Sequence, residues 1–380
     1  MSFSSLGLSA PLLKAVDEQQ YTQPYPVQKE AIPAILKGRD VLGIAQTGSG
    51  KTAGFALPIL EMFQGNKPVN NRYVNVLILV PTRELAIQIL EVFQAFNAKL
   101  PQKAKIQAVY GGVSINPQMM QLRGTEILVA TPGRLLDLVD HNAVKLSEVE
   151  TLVLDEADKI LSLGFKEEVD KIFALLPAKR QNVLFSATLG EDVEGLVSKI
   201  LSNPVKIQIE EEATVPELIK QVAYSIAPEK KGPLLRYLIK TGDLQQVLVF
   251  ASSIRTANNV VGKLSKHGID AAGLHGEKSQ GARTEALKKF KAGKLRVLVA
   301  TDLASRGIDI KFLPHVINYE LPRSPKDYVH RIGRTGRAAS EGEAISFVTP
   351  DDEHHFKIIQ KKMGQRVPRI ETEDLDLSGY

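Results

Sequence analysis

The stretch from residue 41 to residue 58 constrains this chain more than any other. An apolar run, Val41-Leu42-Gly43-Ile44, leads into Ala45-Gln46-Thr47-Gly48-Ser49-Gly50-Lys51-Thr52 and then into Ala53 to Leu57. That order predicts a buried strand, a tight loop and a helix. Gly48 and Gly50 lack a Cβ, so the loop can curl with its N–H groups facing inward, and the helix N-terminus adds positive potential there. Such a loop is suited to cradling phosphates. Lys51 supplies a point charge for the β- and γ-phosphates, and the Thr52 hydroxyl suits a magnesium ion bridging the same oxygens. The string departs from the general phosphate-loop pattern at its first position, where Ala45 replaces the usual glycine.

With 380 residues and 43% hydrophobic content, the chain can bury a large core, and its length predicts two domains. It has no cysteine, which excludes disulfides and thiolate metal sites and fits a cytoplasmic, reducing environment. Apolar runs such as Val76 to Val80 are far too short to span a bilayer, and no signal-like segment opens the chain, so no membrane association is expected. The net charge of +5 is uneven: residues 1 to 210 balance at −1 and residues 211 to 380 at +6. Ten basic against three acidic residues lie between Arg255 and Arg296, which suits a surface facing a polyanion or, equally, solvated helix faces.

Upstream of the loop, the prolines of Tyr21-Thr22-Gln23-Pro24-Tyr25-Pro26-Val27-Gln28 set a rigid turn and the start of a helix over Val27 to Leu36. Gln28 carries donor and acceptor together, as an adenine edge requires, and Phe3 or Tyr21 could pack on the base, although taken alone Gln28 fits better as a residue of the helix surface. Downstream, Val76 to Val80, Ala108 to Tyr110, Ile127 to Ala130 and Leu152 to Leu154 read as strands of a parallel sheet covered on both faces. Each ends in a polar or Gly/Pro turn, and in an open α/β sheet such turns gather on one edge with Lys51. Thr82, Arg83, Gly112, Thr131 and Arg134 suit phosphate contact, although both threonines could serve as helix caps alone. Asp155-Glu156-Ala157-Asp158 places three carboxylates after a buried strand, which is costly unless a cation neutralises some of them. Asp155 can hold the magnesium ion, Glu156 can orient or deprotonate an attacking water, and Asp158 is left for coupling. Ser186 and Thr188 end a further strand and could link this corner to a neighbour.

Together, Ala45 to Thr52, Gln28, Pro81 to Leu85, Thr131 to Arg134, Asp155 to Asp158 and Ser186 to Thr188 resemble the DEAD-box family of ATP-dependent RNA helicases. The resemblance runs from Phe3 to about Val348. Gly111 to Gln118, Ser279 to Arg283 and Ala338-Ala339 are most similar to the RhlE-type bacterial branch. The resemblance implies two tandem RecA-like domains, each a mainly parallel sheet flanked by helices. It implies ATP held by Phe3, Tyr21, Gln28, Ala45, Gln46, Thr47, Gly48, Ser49, Gly50, Lys51, Thr52 and Asp309, with Mg2+ on Thr52 and Asp155. RNA contact is implied at Pro81, Thr82, Arg83, Gly112, Thr131, Gly133, Arg134, Gly276, Gln280, Arg283, Thr301 and Gly307. Asp158, Ser186, Thr188 and His330 take the coupling role.

Residues 1–209 are thus expected to form the first domain, 210–217 an acidic linker, 218–368 the second domain and 369–380 a short tail. Strand and helix alternate again from Gln246, but with no second phosphate loop. Arg334 and Arg337 lie three apart and carry the fork of donors that stabilises charge on a transferring phosphoryl group; by themselves they fit a bare basic patch equally, and it is the resemblance that implies they act with Lys51 and Glu156 in catalysis. Ser253 departs from the commoner family string, which leaves its RNA role open. The expected activity is RNA-stimulated ATP hydrolysis coupled to local unwinding or remodelling of short duplexes and RNA–protein complexes, or alternatively an ATP-gated RNA clamp with little turnover. The partners expected with it are RNA, held through its backbone, and ribosomal or degradation-machinery proteins.

Overall fold

A computed structural model describes all residues except 1, 46–47, 64–70, 210–218, 303–312 and 337–341. The chain divides into two compact units, residues 1–210 and 211–380. The expected linker, 210–217, lies outside the described residues.

Unit 1 begins with a short 3-10 turn, Phe3–Ser5, and the helices α1 (Ala10–Glu18) and α2 (Pro26–Leu36). Strand and helix then alternate: β1 (Val41–Ile44), α3 (Lys51–Met62), β2 (Val76–Leu79), α4 (Arg83–Asn97), β3 (Ile106–Val109), α5 (Ile115–Gln121), β4 (Ile127–Ala130) and α6 (Pro132–Asp140). β5 (Thr151–Leu154), α7 (Ala157–Ser162), α8 (Lys166–Leu175), β6 (Gln181–Ser186), α9 (Glu191–Ile200) and β7 (Val205–Gln208) complete it. The seven strands are parallel in the order β3-β4-β2-β5-β6-β1-β7. Both faces are covered, which explains why the strands read as continuous apolar runs. Along β2, Val76 and Ile78 enter the core beneath α2, α3 and α4, while Leu77 and Leu79 enter the opposite one beneath α6 and α8.

Unit 2 comprises β8 (Ile219–Ser225), α10 (Lys231–Thr241), β9 (Val247–Ala251), α11 (Ile254–Lys266), β10 (Ala271–Leu274), α12 (Gln280–Lys291) and β11 (Val297–Thr301). It continues with β12 (His315–Asn318), α13 (Pro325–Ile332), β13 (Gly342–Val348), α14 (Glu353–Met363) and β14 (Arg369–Glu371). Its sheet is again seven-stranded and parallel, in the order β10-β11-β9-β12-β13-β8-β14. The two α/β units expected from the sequence are therefore present.

Residues 369–380, read from the sequence as a short tail, are part of unit 2. β14 pairs with β8 in register from Arg369 against Ala223, and covers what would otherwise be an open sheet edge. Arg369 forks onto the Glu353 carboxylate, Thr372 donates to the Ser225 carbonyl at 2.6 Å, and Leu375 and Leu377 pack on the core. Arg236 donates to the Tyr380 carbonyl at 2.6 Å, and the Tyr380 ring meets Tyr237 edge to face.

Candidate active site

In unit 1 the site lies at the carboxyl ends of the strands, where loops after parallel strands gather. The strand order divides it. β5, β6 and β1 are adjacent and bring Asp155 to Asp158, Ser186 to Thr188 and the phosphate loop together, whereas β3, β4 and β2 bring Gly112, Thr131 to Arg134 and Pro81 to Arg83 together.

The phosphate loop turns on left-handed glycines, with φ of 94° at Gly48 and 86° at Gly50. A Cβ on Gly50 would lie 2.6 Å from Gln28 Nε2 and 2.8 Å from the Tyr25 ring, so only glycine fits. Lys51 opens α3 and is 5% exposed. Its Nζ donates to the Ala45 carbonyl at 2.9 Å and stands 3.9 Å from Asp155 Oδ1. Ala45 in turn donates its N–H to the Ser186 carbonyl at 3.0 Å, anchoring the loop to β6. Gln46 and Thr47 lie outside the described residues.

Asp155 is almost fully buried, and Oδ1 accepts the Glu156 N–H at 2.9 Å. Burial pushes its carboxyl up to about 6; the Lys51 ammonium pulls against this shift and the neighbouring Glu156 charge adds to it. A cation at this corner would favour the ionised form. Among the described residues, no group of three or more His, Cys, Asp or Glu side chains is gathered around a metal position. The donor set fits magnesium: the buried Asp155 carboxylate after β5 and the Thr52 hydroxyl at the start of α3 would hold the ion through hard oxygen atoms. Glu156 adopts a left-handed conformation, φ 55° and ψ 48°, which costs a non-glycine residue roughly 1–2 kcal/mol. Its carboxylate is held by Lys159 at 2.8 Å. Thr188 Oγ1 donates to Asp158 Oδ2 at 3.0 Å and Ser186 Oγ to the Thr188 carbonyl at 2.6 Å, which joins the turns after β5 and β6.

Gln28 is completely buried rather than displayed on a helix surface. Its Nε2 donates to the Gly50 carbonyl and its Oε1 accepts the Tyr25 N–H, both at 2.9 Å, so the amide clips the start of α2 to the phosphate loop. Phe3 is buried and meets Tyr21 edge to face, and Tyr21 packs on Phe96. Tyr25, half exposed and beside Gly50, was not singled out from the sequence. Its place between Pro24 and Pro26 was the available signal.

On the other half of the edge, Thr82 caps α4 by accepting the Leu85 N–H at 3.3 Å, and Pro81 beside it is buried. Gly112 has φ 80°, and a Cβ there would lie 2.4 Å from Arg83 Nη1, so glycine lets the guanidinium cross the turn. Thr131 is buried at the start of α6, Gly133 is partly exposed, and Arg134 donates to the Val113 carbonyl at 2.8 Å.

In unit 2, Gly276, Gln280 and Arg283 come after β10, and Thr301 ends β11 on the adjacent strand. Gly276 is exposed, Arg283 is buried, and His330 and Arg334 are partly exposed on and just after α13. Gly307, Asp309 and Arg337 lie outside the described residues. Arg331 was missed in the sequence because it sits inside a string of functional candidates. It is buried, forks onto Asp302 at 2.6 and 2.7 Å, donates to Asn318 and the Glu320 carbonyl, and stacks 4.8 Å from the Phe250 ring centroid. It joins α13 to the ends of β11 and β12.

Comparison with known proteins agrees with this geometry. Residues 25–196 match the DEAD/DEAH box helicase family model, and residues 230–339 match that of the helicase conserved C-terminal domain. The chain is 40% identical to the ATP-dependent RNA helicase CshA of Limosilactobacillus reuteri over 95% of its own length and 72% of that protein. It is 39% identical to the ATP-dependent RNA helicase DeaD of Buchnera aphidicola over 97% of its length and 61% of that protein. Among solved structures, S. cerevisiae Dbp5 bound to RNA and ADP BeF3 superposes with a TM-score of 0.84 at 32% identity, covering 98% of this chain and 96% of that one. The relatives named are CshA and DeaD, so the RhlE-type branch is not specifically supported. The chain belongs to the DEAD-box family of ATP-dependent RNA helicases.

Proposed function

We propose that unit 1 binds ATP with magnesium at the loop Ala45 to Thr52, and that single-stranded RNA, gripped through its backbone, stimulates hydrolysis and is locally freed of its complement. The observation that carries this reading is the corner where Lys51, Asp155 and Glu156 converge beside the Thr188–Asp158 bond. Bound magnesium neutralises phosphate charge. Lys51 exchanges the Ala45 carbonyl for phosphate oxygens, Asp155 and Thr52 hold the ion, and Glu156 orients the attacking water and takes its proton. The Thr188–Asp158 bond passes the state of this corner to the strand-end loops that meet RNA. Gln28 reports on the base by holding Gly50, with Phe3 and Tyr21 behind it.

Arg334, with Arg337 beside it in sequence, supplies donors to the γ-phosphoryl group as hydrolysis proceeds, and Asp309 meets the ribose. His330 couples the two ligands. Pro81, Thr82, Arg83, Gly112, Thr131, Gly133 and Arg134 of unit 1 and Gly276, Gln280, Arg283, Thr301 and Gly307 of unit 2 meet the RNA backbone without reading sequence. A bent single strand held through its backbone is incompatible with a regular duplex, which is how a short duplex is opened. The absence of cysteine supports a cytoplasmic setting. No helix among the described residues is long and apolar enough to cross a membrane.

Steady-state ATP turnover without nucleic acid, with single-stranded RNA and with single-stranded DNA tests the reading. RNA alone should stimulate. Equal stimulation by DNA would overturn the RNA assignment, and tight RNA binding with no stimulation would favour the ATP-gated clamp.

A further inference from the structure

The exposed face of α12 carries a stripe that none of the roles above uses in full. Gln280, Thr284, Lys288 and Lys291 recur at helical spacing and so share one face, while Arg283, Ala286 and Phe290 form the buried face. Gln280 donates to Thr284 Oγ1 at 3.4 Å, joining the first two members. Thr284, Lys288 and Lys291 are exposed, and Lys294, exposed in the turn after the helix, extends the line. The acid beside the stripe, Glu285, is 3.5 Å from Lys289, which lies off it. Among the described residues no carboxylate pairs with Lys288, Lys291 or Lys294.

Lysines in the last turn of a helix also complement its dipole, but that accounts neither for Lys294 beyond the helix nor for the hydroxyl and amide that lead to the lysines. From Gln280 to Lys291 the stripe runs roughly 17 Å at helical rise. It begins at the strand-end edge, where Gln280 belongs to the RNA-facing set, and ends in three unneutralised cations.

We infer that this stripe is a second contact surface for RNA, carrying the phosphate backbone outward from the strand-end loops along α12 to Lys288, Lys291 and Lys294. The inference rests on the RNA reading of Gln280 and adds a path for nucleotides beyond those the loops hold. Contact is with phosphates and independent of sequence, because lysine on an exposed helix face offers point charges rather than a base-reading fork.

The test uses the full chain, with ATP analogue bound, and a series of single-stranded RNAs of rising length. A variant combining Lys288→Gln, Lys291→Gln and Lys294→Gln should bind the shortest RNAs and hydrolyse ATP at saturating short RNA as the parent does. Long RNAs should bind the variant at least about tenfold more weakly at 0.1 M salt, and the slope of log K against log salt should be shallower by about 2 units for three lost phosphate contacts. Affinity should also stop rising at a shorter length. A parent that binds RNA and a variant indistinguishable from it at every length would overturn the stripe and leave its lysines to helix stability or an acidic protein. Equal weakening at all lengths would also overturn it, since the effect would then lie in the loops. A parent that binds no RNA would remove the RNA reading itself.

Discussion

β8 stands in its sheet where β1 stands in the other, β9 where β2 does, and so on through β14 and β7, because the two strand orders are the same. On one half of the edge, the turns after corresponding strands differ sharply. After β1 come two left-handed glycines and Lys51, 3.9 Å from Asp155; after β8 come Pro228, a 3-10 turn and Lys231, which lies 5.9 Å from the ring centroid of Tyr319. Tyr319 stands after β12 as Asp155 stands after β5. Glu320, in the place of Glu156, accepts the Ser252 N–H at 2.6 Å and the Thr256 hydroxyl at 3.4 Å, so it braces α11. Proline removes an N–H and fixes φ where the loop of unit 1 turns on left-handed glycines. A shared strand order therefore carries two different turns at matching places, and the loop backbone and the Asp155 carboxylate are what unit 2 lacks there.

The other half of the edge diverges less. Thr82 after β2 and Ser253 after β9 both cap the next helix through a side-chain oxygen. Gly112 and Gly276 come after β3 and β10, and Thr131 and Thr301 stand at the ends of β4 and β11. A polyanion backbone needs only small residues, hydroxyls and cations, which either sheet can present.

The largest expected effect separates the two lysines that open α3 and α10. Lys51→Ala should lower RNA-stimulated kcat by about 10²–10³-fold, whereas Lys231→Ala should leave ATP turnover per folded molecule unchanged, read by steady-state kinetics. Comparable losses would mean that the turns after β1 and β8 both serve the nucleotide. Next comes the edge strand. Deleting residues 369–380 removes β14, the Arg369–Glu353 fork and the partly buried Leu375 and Leu377, and should cost unit 2 on the order of 3 kcal/mol. Hydrogen exchange should show the loss confined to unit 2, and protection unchanged there would contradict the docking of the tail. The smallest effect concerns the threonines near the ends of β6 and β13. Thr188→Val breaks the bond to Asp158 and should lower the RNA-stimulated rate a few-fold, roughly 0.5–1.5 kcal/mol, more than the basal rate. Thr349→Val breaks a local bond of 2.6 Å to Asp352 and should alter only the melting of unit 2. A stimulated rate insensitive to Thr188→Val would separate that bond from coupling.

Much of this was legible locally. The strand Val41 to Ile44 and its loop were readable because apolar burial, glycine and lysine fall within a dozen residues. The continuous apolar strands were readable because both sheet faces are buried. The C-terminal residues gave no such signal: β14 is three residues long, and Leu375 and Leu377 find their core only after β8 and α10 are in place. Arg331 has no local signal that separates it from its neighbours His330 and Arg334, and only the fold sets Asp302, Asn318 and Phe250 around it.

By itself, the sequence determined that a phosphate loop comes after the first strand, that acids come after a buried strand and that two α/β units succeed one another, because these depend on neighbours along the chain. Only the tertiary structure decided the strand order that sets β5 and β6 beside β1, the clip of Gln28 onto Gly50, and the strained backbone of Glu156. Those depend on contacts between residues far apart in sequence, and such contacts form only when the sheet has assembled.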